Sequence, residues 1–217
     1  MASFTATANS STTIGYALYG SSSWNTGSTN GACQGAYSGS SSSSSRVGVM
    51  VFNNAGATLK GASISQIQLQ ITCSAAGSSG SSKVLTFRRA NYQSLVTSVT
   101  GSAQVGTMLG TLTGKFYDNT VVHTLNATTN ASFFSMLAAY LAEGNSVLVL
   151  YNGETSSSYS TNYARVTSCT ILVTYTVATV WYCDNGTWKP CAVWYCNGGV
   201  WVQCAVWYCN GGTWVQI

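Results

Sequence analysis

A chain of 217 residues, 46% of them hydrophobic, is long enough for one sandwich-sized domain and a small appendage. Only 6% of the residues are charged, against about 25% in an ordinary soluble domain, so solubility falls to Ser, Thr, Asn and Gly. Four acids (Asp118, Glu143, Glu154, Asp184) and a single histidine, His123, leave few ways to build a hydrolytic acid–base pair; the net charge of +4 comes from scattered bases, with Arg88-Arg89 the one tight pair, which argues against tracking a nucleic-acid backbone.

The opening stretch "MASFTATANSS" has no basic start and no apolar centre, so it does not read as a secretory signal. No apolar run reaches the ~18 residues of a membrane span, and membrane insertion is not expected. From Met1 to about Thr176 the chain reads as strands. "RVGVMVF" places Val47, Val49 and Val51 on one face. "ISQIQLQITC" puts Ile67, Leu69, Ile71 and Cys73 on one side and Gln66, Gln68 and Gln70 on the other, the period of a half-buried strand. "KVLTF", "SVLVLY" and "YARVTSCTILVTY" continue the pattern, and the Ser/Gly-rich runs 38–45 and 74–82 read as surface loops.

One segment breaks the alternation. "TTNASFFSMLAAYLAEG" carries Phe133, Met136, Leu137, Tyr140 and Leu141 at helical spacing, with Thr129 or Asn130 to cap it and Gly144 to end it. Its apolar stripe is expected to pack into the core. Many short strands, turn-rich links and one short helix predict an all-β, jelly-roll-like β-sandwich over residues 1–176. Cys73 and Cys169 fall on apolar strand faces and are expected to be buried thiols, while Cys33 reads as a loop residue. Small-molecule sites are lined by aromatic faces with a few placed polar groups. The aromatics in or near loops, Trp24, Tyr37, Tyr92, Tyr117, Tyr159 and Tyr163, are therefore the ligand-binding candidates. Each has ordinary loop anchoring as its alternative.

Residues 177–217 hold three copies of one segment: "VWYCDNGTWKPC" from Val180, "VWYCNGGVWVQC" from Val193 and "VWYCNGGTWVQI" from Val206. Valine, Trp, Tyr, Cys, Gly and Trp recur every thirteen residues. Asn-Gly-type pairs suit tight turns, so the segment predicts a small antiparallel β-meander. A turn at Asn197-Gly198 would set Trp194 opposite Trp201 and Cys191 opposite Cys204. The same turn sets Trp181 opposite Trp188 and Trp207 opposite Trp214. Cys191 and Cys204 are thus disulfide candidates, with reduced, packed thiols as the alternative. Cys183, Cys196 and Cys209 lie beside turns and suit an intersubunit contact or burial. No Cys-x-x-Cys spacing points to zinc, and no cofactor is expected. With both faces apolar, the six Trp residues need cover. Symmetric self-association is the usual solution.

The motifs "TIGYALYG", "RVGVMVF", "GASISQIQLQIT", "VVHTLNATTNASFFSMLAAYLAEG" and "ARVTSCTILVTYT" follow an order that resembles the DNRLRE-type β-sandwich family, related in fold to carbohydrate-binding modules. Val166 stands where that family often has Pro, and the metal-binding carboxylates of some relatives have no clear counterparts. "VWYCDNGTWKPC" resembles the short aromatic repeats of phage minor structural and tail-fibre proteins, and more distantly the choline-binding repeats of cell-wall proteins. The resemblance implies a phage tail-fibre or receptor-binding module, located on the virion and extracellular after lysis. Its partners would be itself, with a trimer favoured as in fibre-like tail proteins, other virion proteins and host-surface carbohydrate. A purely structural virion or filament subunit and a cell-wall adhesin are the alternatives. An enzyme is not expected: a glycosidase needs two carboxylates roughly 5–10 Å apart, and Glu154 with Asp118 is the one pair worth testing.

Overall fold

The computed structural model of the chain describes residues 1–9, 13–27, 31–36, 45–74, 82–116, 120–153, 163–176, 180–184, 187–191, 193–203, 207–210 and 213–216. The strands of the main body are β1 (Ala2–Asn9), β2 (Ile14–Leu18), β3 (Trp24–Thr26), β4 (Ala32–Ala36), β5 (Ser45–Val51), β6 (Ser63–Cys73), β7 (Lys83–Ala90), β8 (Val105–Gly114), β9 (Val121–Asn126), β10 (Val147–Leu150) and β11 (Ala164–Thr176). Among the described residues three helices interrupt them: α1 (Ala55–Leu59), α2 (Gly101–Gln104) and α3 (Ala131–Ala142). The sequence pattern anticipates α3. It does not anticipate α1 and α2, which are single turns too short to show a period.

Two antiparallel sheets face each other. The first runs β1–β11–β6–β9 and the second β5–β10–β7–β8. In chain order β1, β6, β9 and β11 belong to the first, and β5, β7, β8 and β10 to the second. This is the connectivity of a jelly roll. The β2–β3 hairpin extends the second sheet beyond β5.

β4 ties the sheets together: Ala32–Gln34 pair with β11, and Gly35 and Ala36 pair with β5. The crossing is tight. A Cβ on Gly48 of β5 would lie 2.6 Å from the Cys33 nitrogen, so only glycine lets the β4 backbone pass. Gln34, fully buried, secures the corner by donating its amide to Val84 O at 2.6 Å and accepting from Thr86 N at 2.9 Å. A buried amide is stable only when bonded in this way.

The alternation in β6 produces the expected partition. Ile67, Leu69 and Ile71 are fully buried, and Gln66, Gln68 and Gln70 face outward, half-exposed. Burying each such aliphatic chain stabilises the fold by about 1.5–3 kcal/mol. The outer face of the first sheet is consequently a lattice of hydroxyls and amides. One row runs Ser3–Thr174–Gln66–Asn126, the next Thr5–Leu172–Gln68–Thr124, the third Thr7–Thr170–Gln70–Val122.

α3 spans the gap between the edge strands β8 and β9, touching β6 as well. Phe133, Leu137, Tyr140 and Leu141 are buried beneath it. Met136, expected in this stripe, instead turns outward and is 44% exposed; the buried residues recur at a three-to-four spacing that leaves position 136 just off the face. Asn130 precedes the helix in the left-handed conformation and makes no side-chain cap; Asn126 Oδ1 organises the turn by accepting from the backbone of Thr128 and Thr129. Gly144, at φ 97°, ends the helix as expected.

A smaller apolar cluster covers the outer face of the second sheet. Val47, Val49, Val147 and Val149 lie there under Trp24, Leu95 and Tyr151. This explains why β5 and β10 are apolar on both faces.

After β11 come β12 (Val180–Asp184), β13 (Thr187–Cys191), β14 (Trp194–Asn197), β15 (Val200–Gln203), β16 (Trp207–Asn210) and β17 (Thr213–Gln216). They form three antiparallel hairpins, each its own two-stranded sheet. No ladder joins one hairpin to the next among the described residues. No described helix is long and apolar enough to cross a membrane.

Candidate functional site

Aromatic rings and guanidinium groups gather in two sets on opposite faces of β5: Tyr19, Tyr151 and Arg88 with the outer apolar cluster, and Arg46 with Tyr16, Tyr163, Arg165 and Cys33 near the β4 corner. Tyr19 stacks on Tyr151 with ring centroids 4.9 Å apart. Arg88 lies 5.5 Å over the Tyr151 ring and donates from Nε to the Tyr151 carbonyl at 2.9 Å. Arg46 lies 5.5 Å from the Tyr16 ring and 5.4 Å from that of Tyr163. Arg165 donates from Nη2 to the Tyr163 hydroxyl at 3.4 Å, and that hydroxyl reaches Cys33 Sγ at 3.9 Å. Cations over aromatic faces contribute roughly 0.5–2 kcal/mol, more as water is excluded.

Burial raises the Tyr163 phenol and the Cys33 thiol above their usual ranges, outweighing the neighbouring Arg165 charge. Neither ionises near neutral pH. The cluster therefore offers fixed donors and ring edges, which suit binding and packing better than proton transfer.

The sequence candidates are dispersed. Trp24 is half-buried; its Nε1 donates to the Val99 carbonyl at 2.9 Å, which anchors the 91–100 loop. Tyr92 stands in that loop, 40% exposed, with an open ring. Tyr163 is 1% exposed and offers no face to a sugar; it belongs to the corner because the chain enters β11 directly after it. Tyr37, Tyr117 and Tyr159, and the acids Asp118 and Glu154, lie outside the described residues. Sequence reasoning passed over Tyr16, Tyr19, Tyr151, Arg46, Arg88 and Arg165. Tyr16 and Tyr19 stand three apart in "TIGYALYG", off the two-residue period of a strand, and nothing local signals their distant partners.

The central hairpin turns one residue later than expected, which moves every cross-strand partner by two. The central turn is Gly198-Gly199, with φ 58° and 86°, the paired positive values of a type I′ turn, which two glycines adopt without strain. Asn197 then closes the ladder against Val200, Cys196 faces Trp201, and Trp194 faces Gln203 rather than Trp201. The same shift sets Cys183 against Trp188 and Trp181 against Pro190. It also sets Cys209 against Trp214 and Trp207 against Gln216. Each expected Trp–Trp pair becomes a Cys–Trp pair. Cys191 faces Val180; Cys204 lies outside the described residues, and so does the expected bridge between them. Cys196 is a free, exposed thiol.

Cys73 and Cys169 are buried free thiols, as their strand faces imply, and burial pushes both up to about 12. Cys33, expected in a loop, is fully buried in β4. The short Ala/Cys/Gly strand has no alternation from which to read it. His123 sits half-buried beside Phe116, ring centroids 5.6 Å apart, and burial lowers its pKa. Among the described residues no group of three or more His, Cys, Asp or Glu side chains is placed to hold a metal ion. The chain matches no protein-family model and no curated protein sequence.

Proposed function

We propose that this chain is a phage virion protein, a tail-fibre or receptor-binding module. Its jelly roll contacts host-surface glycans, and its C-terminal hairpins serve assembly. The observation that carries this reading is the coupling of a jelly roll built almost without charge to three hairpins that share one register. Repetition of one Cys–Trp ladder gives neighbouring chains three equivalent surfaces. Association with further copies, a trimer being favoured, would cover their aromatic residues. Other tail proteins are the remaining partners, and the virion, released by lysis, is the location.

Whole-cell adsorption and a glycan array test the binding half. Absence of binding to every host surface overturns it. Deleting residues 180–217 tests the assembly half: oligomers are lost and adsorption per chain persists. The second reading is a purely structural subunit, which the common hairpin register favours equally. It predicts oligomers without adsorption.

A further inference from the structure

The outer face of the first sheet lies apart from the loop aromatics, and its four strands hold one continuous register of polar side chains. Gln66, Gln68 and Gln70 of β6 stand between Thr170 and Thr174 of β11 and Thr124 of β9. Neighbouring strands lie about 4.8 Å apart, and alternate residues along a strand about 6.8 Å apart. The result is a plane of donors and acceptors with two-dimensional spacing. Its hydroxyls are already ordered: Thr7 bonds Thr170 and Thr72 bonds Thr120, each at 2.8 Å. Two apolar side chains, Leu172 and Val122, break the polar field next to Gln68 and Gln70.

The charge pattern selects the partner. In β1, β6, β9 and β11 the one side chain charged at neutral pH is Arg165. It lies against Cys33, beyond the irregularity between Val166 and Ser168, at the border of the lattice. His123 is paired with Leu69 on the core side. A charge-free surface gives no return for the desolvation of an ionic partner. A neutral hexose polymer matches it: hydroxyls ring an apolar C–H face, and the unit repeats along the chain. Glutamine amides supply both donors and acceptors to such hydroxyls.

We infer that this face is a docking surface for a neutral polysaccharide. The inference rests on the glycan-binding reading above and moves the contact from the loops to the sheet. Single contacts are weak on a face without aromatic rings, so strength comes from many contacts along one polymer and from multiple copies of the protein.

The test is co-sedimentation of the full chain with insoluble mannan and glucan, beside a soluble polyuronate in a gel-shift format. The expected result is binding to a neutral polymer that is unchanged from low salt to ~1 M NaCl, since no ion pair is involved. Gln68→Arg should weaken it at least ~10-fold, at an unchanged melting temperature, because the guanidinium crowds the lattice and brings charge. Thr124→Lys, on the neighbouring strand, serves if Gln68→Arg fails to fold. Binding to the polyuronate alone overturns this inference and leaves the glycan-binding reading standing. So does neutral-polymer binding that survives both variants and is lost in Tyr92→Ala. Loss of oligomers in Gln68→Arg, with no polymer bound by the parent chain, assigns the face to self-association and overturns the inference. Failure to bind any glycan overturns both.

Discussion

Phe133 of α3 lies against Gly110 of β8 so closely that a Cβ on the glycine would overlap the Phe133 ring. The ring also meets Phe87 with centroids 5.4 Å apart. The helix therefore seats on the sandwich edge because one strand position has no side chain. Gly110→Ala should destabilise the fold by about 1–3 kcal/mol through overpacking. Gly20→Ala, with no atom within 4 Å of the added carbon, should move stability by no more than about 0.5 kcal/mol. Urea unfolding of the two variants makes the comparison. In Phe133→Ala the added methyl at Gly110 should cost less than in the parent, because the two sites share one space.

Tyr140 is the polar counterpart of that contact. Its hydroxyl donates to the Val147 carbonyl at 2.7 Å and accepts from Ala90 N at 3.1 Å and Gln93 Nε2 at 3.0 Å. Tyr140→Phe keeps the ring and strands these partners. A loss of about 1–3 kcal/mol is expected, together with faster amide exchange at Ala90, which hydrogen-exchange mass spectrometry reads directly.

Stability should fall in mild acid because of His123. Burial lowers its pKa in the folded state, so between that value and the unfolded value of about 6.5 the unfolded chain binds more protons. The contribution is fully present above about pH 6.5 and is lost as the pH falls towards the folded value. His123→Phe should flatten the dependence between neutral pH and pH 5. An unchanged slope in denaturant titrations would remove His123 from this role.

Thiol labelling should separate two classes of cysteine. Cys33, Cys73 and Cys169 are buried and held in the thiol form, and only the thiolate reacts. A maleimide probe should modify Cys196, which is exposed, and reach the three buried residues only after denaturant is added. Peptide mapping that finds Cys73 or Cys169 labelled in the native protein would contradict the packing described above.

The central hairpin should depend on its turn. Gly199 holds φ 86°, a conformation that costs an L-residue about 1–2 kcal/mol. Gly199→Val should open the Cys196–Trp201 ladder and speed amide exchange in β14 and β15, which hydrogen-exchange mass spectrometry reads. The melting of the sandwich should stay unchanged.

Legibility in the sequence followed periodicity. β6 and β11 alternate cleanly because one face of each meets the core and the other meets water, and α3 shows because its period differs from theirs. β4 does not show: "ACQGA" is buried throughout, and a strand covered on all sides leaves no alternation. The crossing at Gly48 is equally hidden, since a glycine needed for a distant backbone looks like any turn glycine. The hairpins were legible in kind and wrong in register. Asn-Gly and Gly-Gly both satisfy the turn geometry, and a shift of one residue exchanges every cross-strand partner. The ring contacts stayed invisible because they join residues such as Tyr19 and Tyr151, or Arg46 and Tyr163, far apart in the chain.

The pairing of β1 with β11 bears on how the chain is made. Thr7 and Thr170 are 163 residues apart in sequence, so β1 has no ladder partner until β11 has been made. β1 carries no charge and no proline to protect its edge in that interval. Closure of the first sheet therefore comes late and is slow, as long-range strand pairing is. Nascent chains crowded on one polysome would meet through β1 before each could fold on itself. Yield in a cell should then fall with faster expression and recover when synthesis is slowed.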